Sequence, residues 1–198
     1  MNILNLLAAL AAAHARGVEF DTLIEAVAGL RPVPGRFQPV HAGQPFTVIV
    51  DYAHTDDALA NLTALARQMT ATSNKRVITL FGCGGDRDRT KRPRMGLAAG
   101  RGSDSVVLTS DNPRSEDPTA ILREIEPGLK ESGTPYVVEP DRAQAIELAL
   151  KAAEPGDVVL LAGKGHEKEQ ILASGPVPFD DAQIALATLT RMGYGEAQ

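Results

Sequence analysis

The chain has 198 residues, 43% of them hydrophobic and 23% charged, long enough for one domain, or one plus part of another, with a core that needs no disulfide or metal. A single Cys excludes a disulfide framework and allows a reducing compartment. Aromatics at 4% with no Trp argue against stacking platforms for single-stranded nucleic acid, and a net charge of −5 argues against a general polyanion binder.

In chain order, residues 2–15 are Ala/Leu-rich and favour helix. No Lys or Arg precedes the apolar run at 3–13, so it lacks the charged start of a signal peptide. It is also too short to span a bilayer. The expectation is a cytoplasmic protein with no membrane partner. Gly17 punctuates, and residues 20–29 carry apolar positions at helical spacing, with Asp21 as candidate N-cap. The stretch from Arg31 to Gly35 (Arg-Pro-Val-Pro-Gly) breaks the pattern. A domain boundary is expected there.

After Pro45 strands and helices alternate. Strands are expected at 46–50, 76–81, 105–109, 135–138 and 157–162, with a short sixth at 169–172. Helices are expected at 56–70, 91–101, 118–130, 141–153 and 180–192, Asp141 capping the fourth of these. This alternation predicts βαβ units and a mostly parallel, Rossmann-like α/β sheet of six strands with helices on both faces. Near-continuous apolar strands fit a sheet covered on both sides.

Ligands of such sheets bind beyond the carboxyl ends of the strands. Unusual polar residues cluster at four of those ends. Asp51 and His54 follow the first strand. A glycine run and Asp86-Arg87 follow the second. Asp111-Asn112-Pro113-Arg114 follows the third, and Gly163-Lys164-Gly165-His166-Glu167 the fifth. The segment 86–94 holds five basic and two acidic residues. It reads either as a carboxylate or phosphate site, since guanidinium forks match those groups, or as a solvated loop. The glycines before it either admit a ligand close to backbone or make a sharp turn. Asp111 to Arg114 is either a stiff polar site or a turn with Asp and Asn in local roles. Glu167 suits an ammonium group, whereas His166 reads as structural. Neither a phosphate-loop motif nor a Gly-x-Gly-x-x-Gly fingerprint is present. One Cys and four scattered His give no metal-ligand spacing.

Taken together, several segments resemble the C-terminal part of the Mur ligases. They are Asn5-Leu-Leu-Ala-Ala, Arg31-Pro-Val-Pro-Gly-Arg36, Asp51-Tyr-Ala-His-Thr55, Phe81-Gly-Cys-Gly-Gly-Asp-Arg-Asp88, Asp111-Asn-Pro-Arg114 and Gly163-Lys-Gly-His-Glu167. The resemblance covers essentially the whole chain. It implies part of a cytoplasmic ATP-dependent amide ligase of peptidoglycan synthesis, in which a carboxylate is activated as an acyl phosphate and then attacked by an amine. Residues 1–34 would be the helical end of a central ATPase domain, and 35–198 a C-terminal amino-acid-binding domain.

The implied partners are meso-diaminopimelate, ATP and a UDP-N-acetylmuramoyl dipeptide, with Mg2+ and ATP held mainly by the central domain. By the same resemblance Arg87, Asp111, Asn112, Pro113, Arg114, Gly163 and Glu167 would form the diaminopimelate site. Arg36, Asp51 and His54 would face ATP. No catalytic residue and no metal ligand is assigned within this chain, which would be inactive alone. The alternatives are a sister ligase adding lysine or glutamate, and a binding module without catalysis.

Overall fold

The computed structural model describes residues 3–30, 33–71 and 75–195. Two helices lead, α1 (Ile3–Ala15) and α2 (Phe20–Ala28). Asp21 is not the cap of α2: it lies in the first turn, and Glu19 holds the N-cap position without a side-chain hydrogen bond. Part of the expected boundary, Arg31 and Pro32, falls outside the described residues.

A six-stranded sheet follows, built from β1 (Gln38–Pro39), β2 (Thr47–Asp51), β3 (Val77–Phe81), β4 (Ser105–Leu108), β5 (Tyr136–Val138) and β6 (Val158–Ala162). The order is β1-β2-β6-β3-β4-β5. All pairings are parallel except that of β1 with β2. The expected sixth strand is therefore a different one. Glu169–Leu172 forms β7, which leaves the sheet and pairs antiparallel with β8 (Gly175–Pro178) as a separate hairpin. The edge position goes instead to the two-residue β1, too short to show any periodicity.

Alternation along the strands sorts side chains into two cores. Ile49, Val77, Phe81, Leu108 and Leu160 face one side, where they meet α3 (Asp56–Thr70), α4 (Lys91–Gly102) and α5 (Pro118–Ser132). Val48, Val50, Ile78, Leu80, Val159 and Leu161 face the other, against α6 (Arg142–Ala152) and α7 (Asp181–Arg191). Among the described residues neither core draws on α1 or α2.

Helix ends follow local chemistry. Thr55, Asp117, Asp141 and Asp180 each accept a backbone N–H as N-caps of α3, α5, α6 and α7. Helix α5 runs two residues past its expected end and stops at Gly133, which takes the left-handed conformation (φ +73°).

Strands β3 and β6 are neighbours, yet the chain leaves β3 toward α4 on one face and leaves β6 toward α7 on the other. Loops that part in this way open a crevice at the carboxyl edge of a parallel sheet.

Candidate functional site

The loops after β2, β3, β4 and β6 meet around one cleft of about 310 Å³. Of the sequence-predicted residues, His54, Arg87, Asp111, Asn112, Arg114, Gly163 and Glu167 line it. Pro113, Arg36 and Asp51 do not.

The loop after β4 carries the most polar part of the cleft. Asp111 and Asn112 are buried, and Arg114 is half-buried with a left-handed backbone (φ +52°). Arg114 Nη1 donates to the carbonyls of Gly85 (2.8 Å) and Asn112 (3.3 Å). The hairpin after the cleft braces this loop. Arg114 N donates to Ile171 O, Ile171 N to Asn112 Oδ1, and Gln170 Nε2 to Asp111 O, all between 2.7 and 2.9 Å.

The loop after β6 adds Lys164, wholly buried, whose Nζ donates to Asn112 Oδ1 and Glu167 Oε2 at 3.0 Å each. Asn112 Nδ2 donates to the same Glu167 oxygen at 2.8 Å. Burial opposes ionisation of Glu167, but the Asn112 and Lys164 hydrogen bonds and the Arg114 charge outweigh it and hold the carboxyl below its usual range. Burial pushes the Asp111 carboxyl up, against the pull of Arg142 and Lys164. Asp111 Oδ1 is buried without a hydrogen-bond partner. Such an acceptor is costly unless something pairs with it.

The glycine run does not serve a ligand directly at every position. A Cβ at Gly85 would lie 1.9 Å from Pro113 O, and Gly85 N donates to Asn112 O at 2.9 Å. This glycine lets the β3 and β4 loops touch backbone to backbone. Pro113 thereby shapes the cleft from behind.

The basic excess of segment 86–94 is mostly spent inside the fold. Arg92 is buried and pairs with Glu116 and Glu124, Arg89 pairs with Glu124, and Arg94 reaches Asp56 at 3.5 Å. Arg87 is exposed at the cleft and donates to Asp86 O. The segment is thus not a polyanion patch; its acids come from α3, α5 and the turn before α5, which a local charge count omits.

Asp51 and Arg36 lie beside the cleft, next to His54 on its wall. Asp51 accepts from Phe37 N (2.7 Å) and Ala53 N (2.9 Å), which pins the chain entering the sheet. The Arg36 guanidinium sits over the Tyr52 ring at 4.9 Å, and the His54 and His166 rings pack against Tyr52 at 4.5 and 5.1 Å. His166 is exposed.

Beneath the cleft, Arg142 and Asp181 form a fully buried two-point ion pair (2.7 and 2.8 Å), and Arg142 also donates to Ala162 O and Ser110 O. This ties the ends of β4 and β6 together. Lys164 and Arg92 lay inside segments that sequence reasoning marked without being singled out, and Glu116, Arg142 and Asp181 escaped it. A lysine between two glycines at a strand end was the one available signal; the others sit in ordinary helical or loop patterns.

An open, doubly wound α/β domain carries a charged cleft at its carboxyl edge, the place where ligands of such sheets bind. The chain belongs to the Mur ligase family: the family described as Mur ligase, glutamate ligase domain, matches residues 35–165. A UDP-N-acetylmuramoyl-L-alanyl-D-glutamate–2,6-diaminopimelate ligase of Solibacter usitatus is 52% identical over 198 residues, all of this chain and 40% of that protein. A solved structure of a ligase of the same name matches with TM-score 0.73 at 39% identity, covering 98% of this chain and 39% of that one. Escherichia coli FolC, solved with DHPP and ADP, matches with TM-score 0.60 at 27% identity, covering 82% of this chain and 36% of that one. The chain thus spans about 40% of the length of the relatives it matches.

Proposed function

We propose that this chain is the amino-acid-binding part of an ATP-dependent ligase that joins meso-diaminopimelate to UDP-N-acetylmuramoyl-L-alanyl-D-glutamate in cytoplasmic peptidoglycan synthesis. The observation that carries the reading is the convergence of Arg87, Arg114, Asp111, Asn112 and Glu167 on one cleft. Diaminopimelate presents two carboxylates and two ammonium groups. Guanidinium groups suit the carboxylates, and Glu167 with Asp111 Oδ1, which accepts no hydrogen bond, suits an ammonium. Gly163 lines the cleft next to Asp111 at φ +111°, its N–H donated to Asp51 O, and a side chain there would project toward the Asp111 carboxyl. In this reading Arg114 meets the distal carboxylate, which lysine lacks.

The division of labour follows. Residues 35–198 form the amino-acid-binding domain and 1–34 the end of a preceding one; the family match begins at residue 35, and among the described residues the two cores draw nothing from α1 or α2. Arg36 and His54, stacked on Tyr52 beside the cleft, suit a nucleotide's phosphates and base, with Asp51 holding their loop. When bound, ATP supplies the phosphoryl group that activates the carboxylate. In this reading Mg2+ and most of the ATP are held by the rest of the ligase.

Calorimetric titration of the chain tests the reading. It should bind meso-diaminopimelate and bind lysine more weakly. Arg114→Ala should weaken diaminopimelate binding roughly ten- to hundredfold, the cost of losing a charged hydrogen bond, and weaken lysine binding much less. Equal losses for both amino acids would remove Arg114 from the distal carboxylate. With ATP, the UDP-linked dipeptide and diaminopimelate present, the chain alone should release no ADP.

A further inference from the structure

Lys164 is a buried cation in the middle of the cleft's acceptors. Its side chain is 0% exposed, its Nζ holds Asn112 and Glu167 at 3.0 Å, and it stands 3.8 Å from Asp111 Oδ1. Burying an ammonium is expensive, so its position calls for a reason beyond packing. We infer that Lys164 is a positioning residue: a fixed internal cation that aligns Asn112 and Glu167 and keeps the Glu167 carboxylate charged beside Asp111, so that the cleft receives a ligand ammonium that Lys164 itself never touches. This rests on the diaminopimelate reading above.

The surrounding charges support the assignment. Two carboxylates that share a site without a cation between them cannot both ionise easily. Arg142 of α6 acts on Asp111 but is bonded at two points to Asp181 of α7, which itself disfavours the Asp111 charge. Arg114 acts on Glu167 through space while its Nη1 serves backbone carbonyls. Lys164 is the cation bonded directly to Glu167. Asn112, held from the other side by Ile171 N, passes the constraint to the β7–β8 hairpin.

Lys164→Met removes the donor and the charge, and Lys164→Gln keeps a donor without charge. In both, carbon-13 titration of the Glu167 carboxyl should show its midpoint moved up by about one pH unit or more, a tenfold change in protonation per unit. This readout needs no ligand. Meso-diaminopimelate binding should then weaken about twofold more at about pH 5.5 than at about pH 7.5, because about half of the carboxyl is protonated there and a protonated carboxyl no longer attracts an ammonium. A merely structural lysine would lower affinity equally at both values and leave the carboxyl midpoint where it was, and that result overturns the inference. Absence of binding by the wild-type chain would instead defeat the diaminopimelate reading, while the carboxyl titration still judges Lys164. If neither variant folds, nitrogen-15 labelling of lysine Nζ in the wild-type chain decides. An ammonium still protected from solvent exchange when the ligand is bound supports a fixed cation; one displaced or exposed by the ligand overturns it.

Discussion

Cys83 illustrates how position overrides residue type. It lines the cleft, yet it is buried, with Sγ 3.5 Å from Met95 Sδ. Burial, aided by the Asp111 charge, pushes its thiol up to about 12. Only a thiolate reacts readily, so a thiol reagent at about pH 8 should label the native chain more than tenfold more slowly than the chain in denaturant. Rapid labelling without denaturant would refute that protection. The same residue-level logic separates Arg87 and Arg114 from their neighbours. Composition marks five basic residues in segment 86–94 as alike. Partners decide that Arg92 is framework and Arg87 is available to a ligand.

At the scale of elements, α4 is fastened to the turn before α5 by the Arg92–Glu116 pair, and Glu116 also accepts from Asp86 N at 2.6 Å. The Arg92 hydrogen bond, then the Asp86 N–H, hold the Glu116 carboxyl down from 4.5 to about 2. A carboxylate lowered in the folded state contributes stability above its unfolded value and loses it as pH falls through the folded one. The contribution is therefore complete above about pH 4.5 and lost toward about pH 2. Denaturant unfolding of Glu116→Gln should show a deficit against wild type at about pH 6 that shrinks steadily across that window; a deficit constant with pH would mean the pair is not ionic. Backbone contact fastens the β3 and β4 loops in the same way. Gly85→Ala forces a methyl against Pro113 O, and should cost about 1–3 kcal/mol, as overpacking does. A melting temperature within a degree of wild type would show that the loops can part.

For the whole molecule, the Arg142–Asp181 pair joins α6 and α7 to the strand ends that carry the cleft. Removing one partner of a buried pair leaves an uncompensated charge and costs about 3–5 kcal/mol. Asp181→Ala should lose that much by denaturant unfolding, whereas replacing both residues with apolar ones should recover most of it. If the double replacement is as unstable as the single one, the pair is more than a charge match. The helices ahead of residue 35 stand apart energetically: Leu7, Phe20, Ile24 and Leu30 are exposed. A chain beginning at residue 35 should unfold within a few degrees of the full one.

The sequence alone carried the α/β alternation, the five parallel strands and four of the loops that matter, because apolar runs and capping residues are local signals. It also placed Asp111 to Arg114 and Glu167 at strand ends. It could not order the strands, since insertion of β6 between β2 and β3 depends on pairing across more than 70 residues. Nor could it tell β7 from a sheet strand, because pairing partners, not composition, define a sheet. Only the tertiary structure showed that segment 86–94 is largely neutralised from α3, α5 and the turn before α5, and that Lys164 lies buried among Asp111, Asn112 and Glu167. The net charge of −5 describes the chain; the charge a ligand meets is set by which of those groups the fold has already paired.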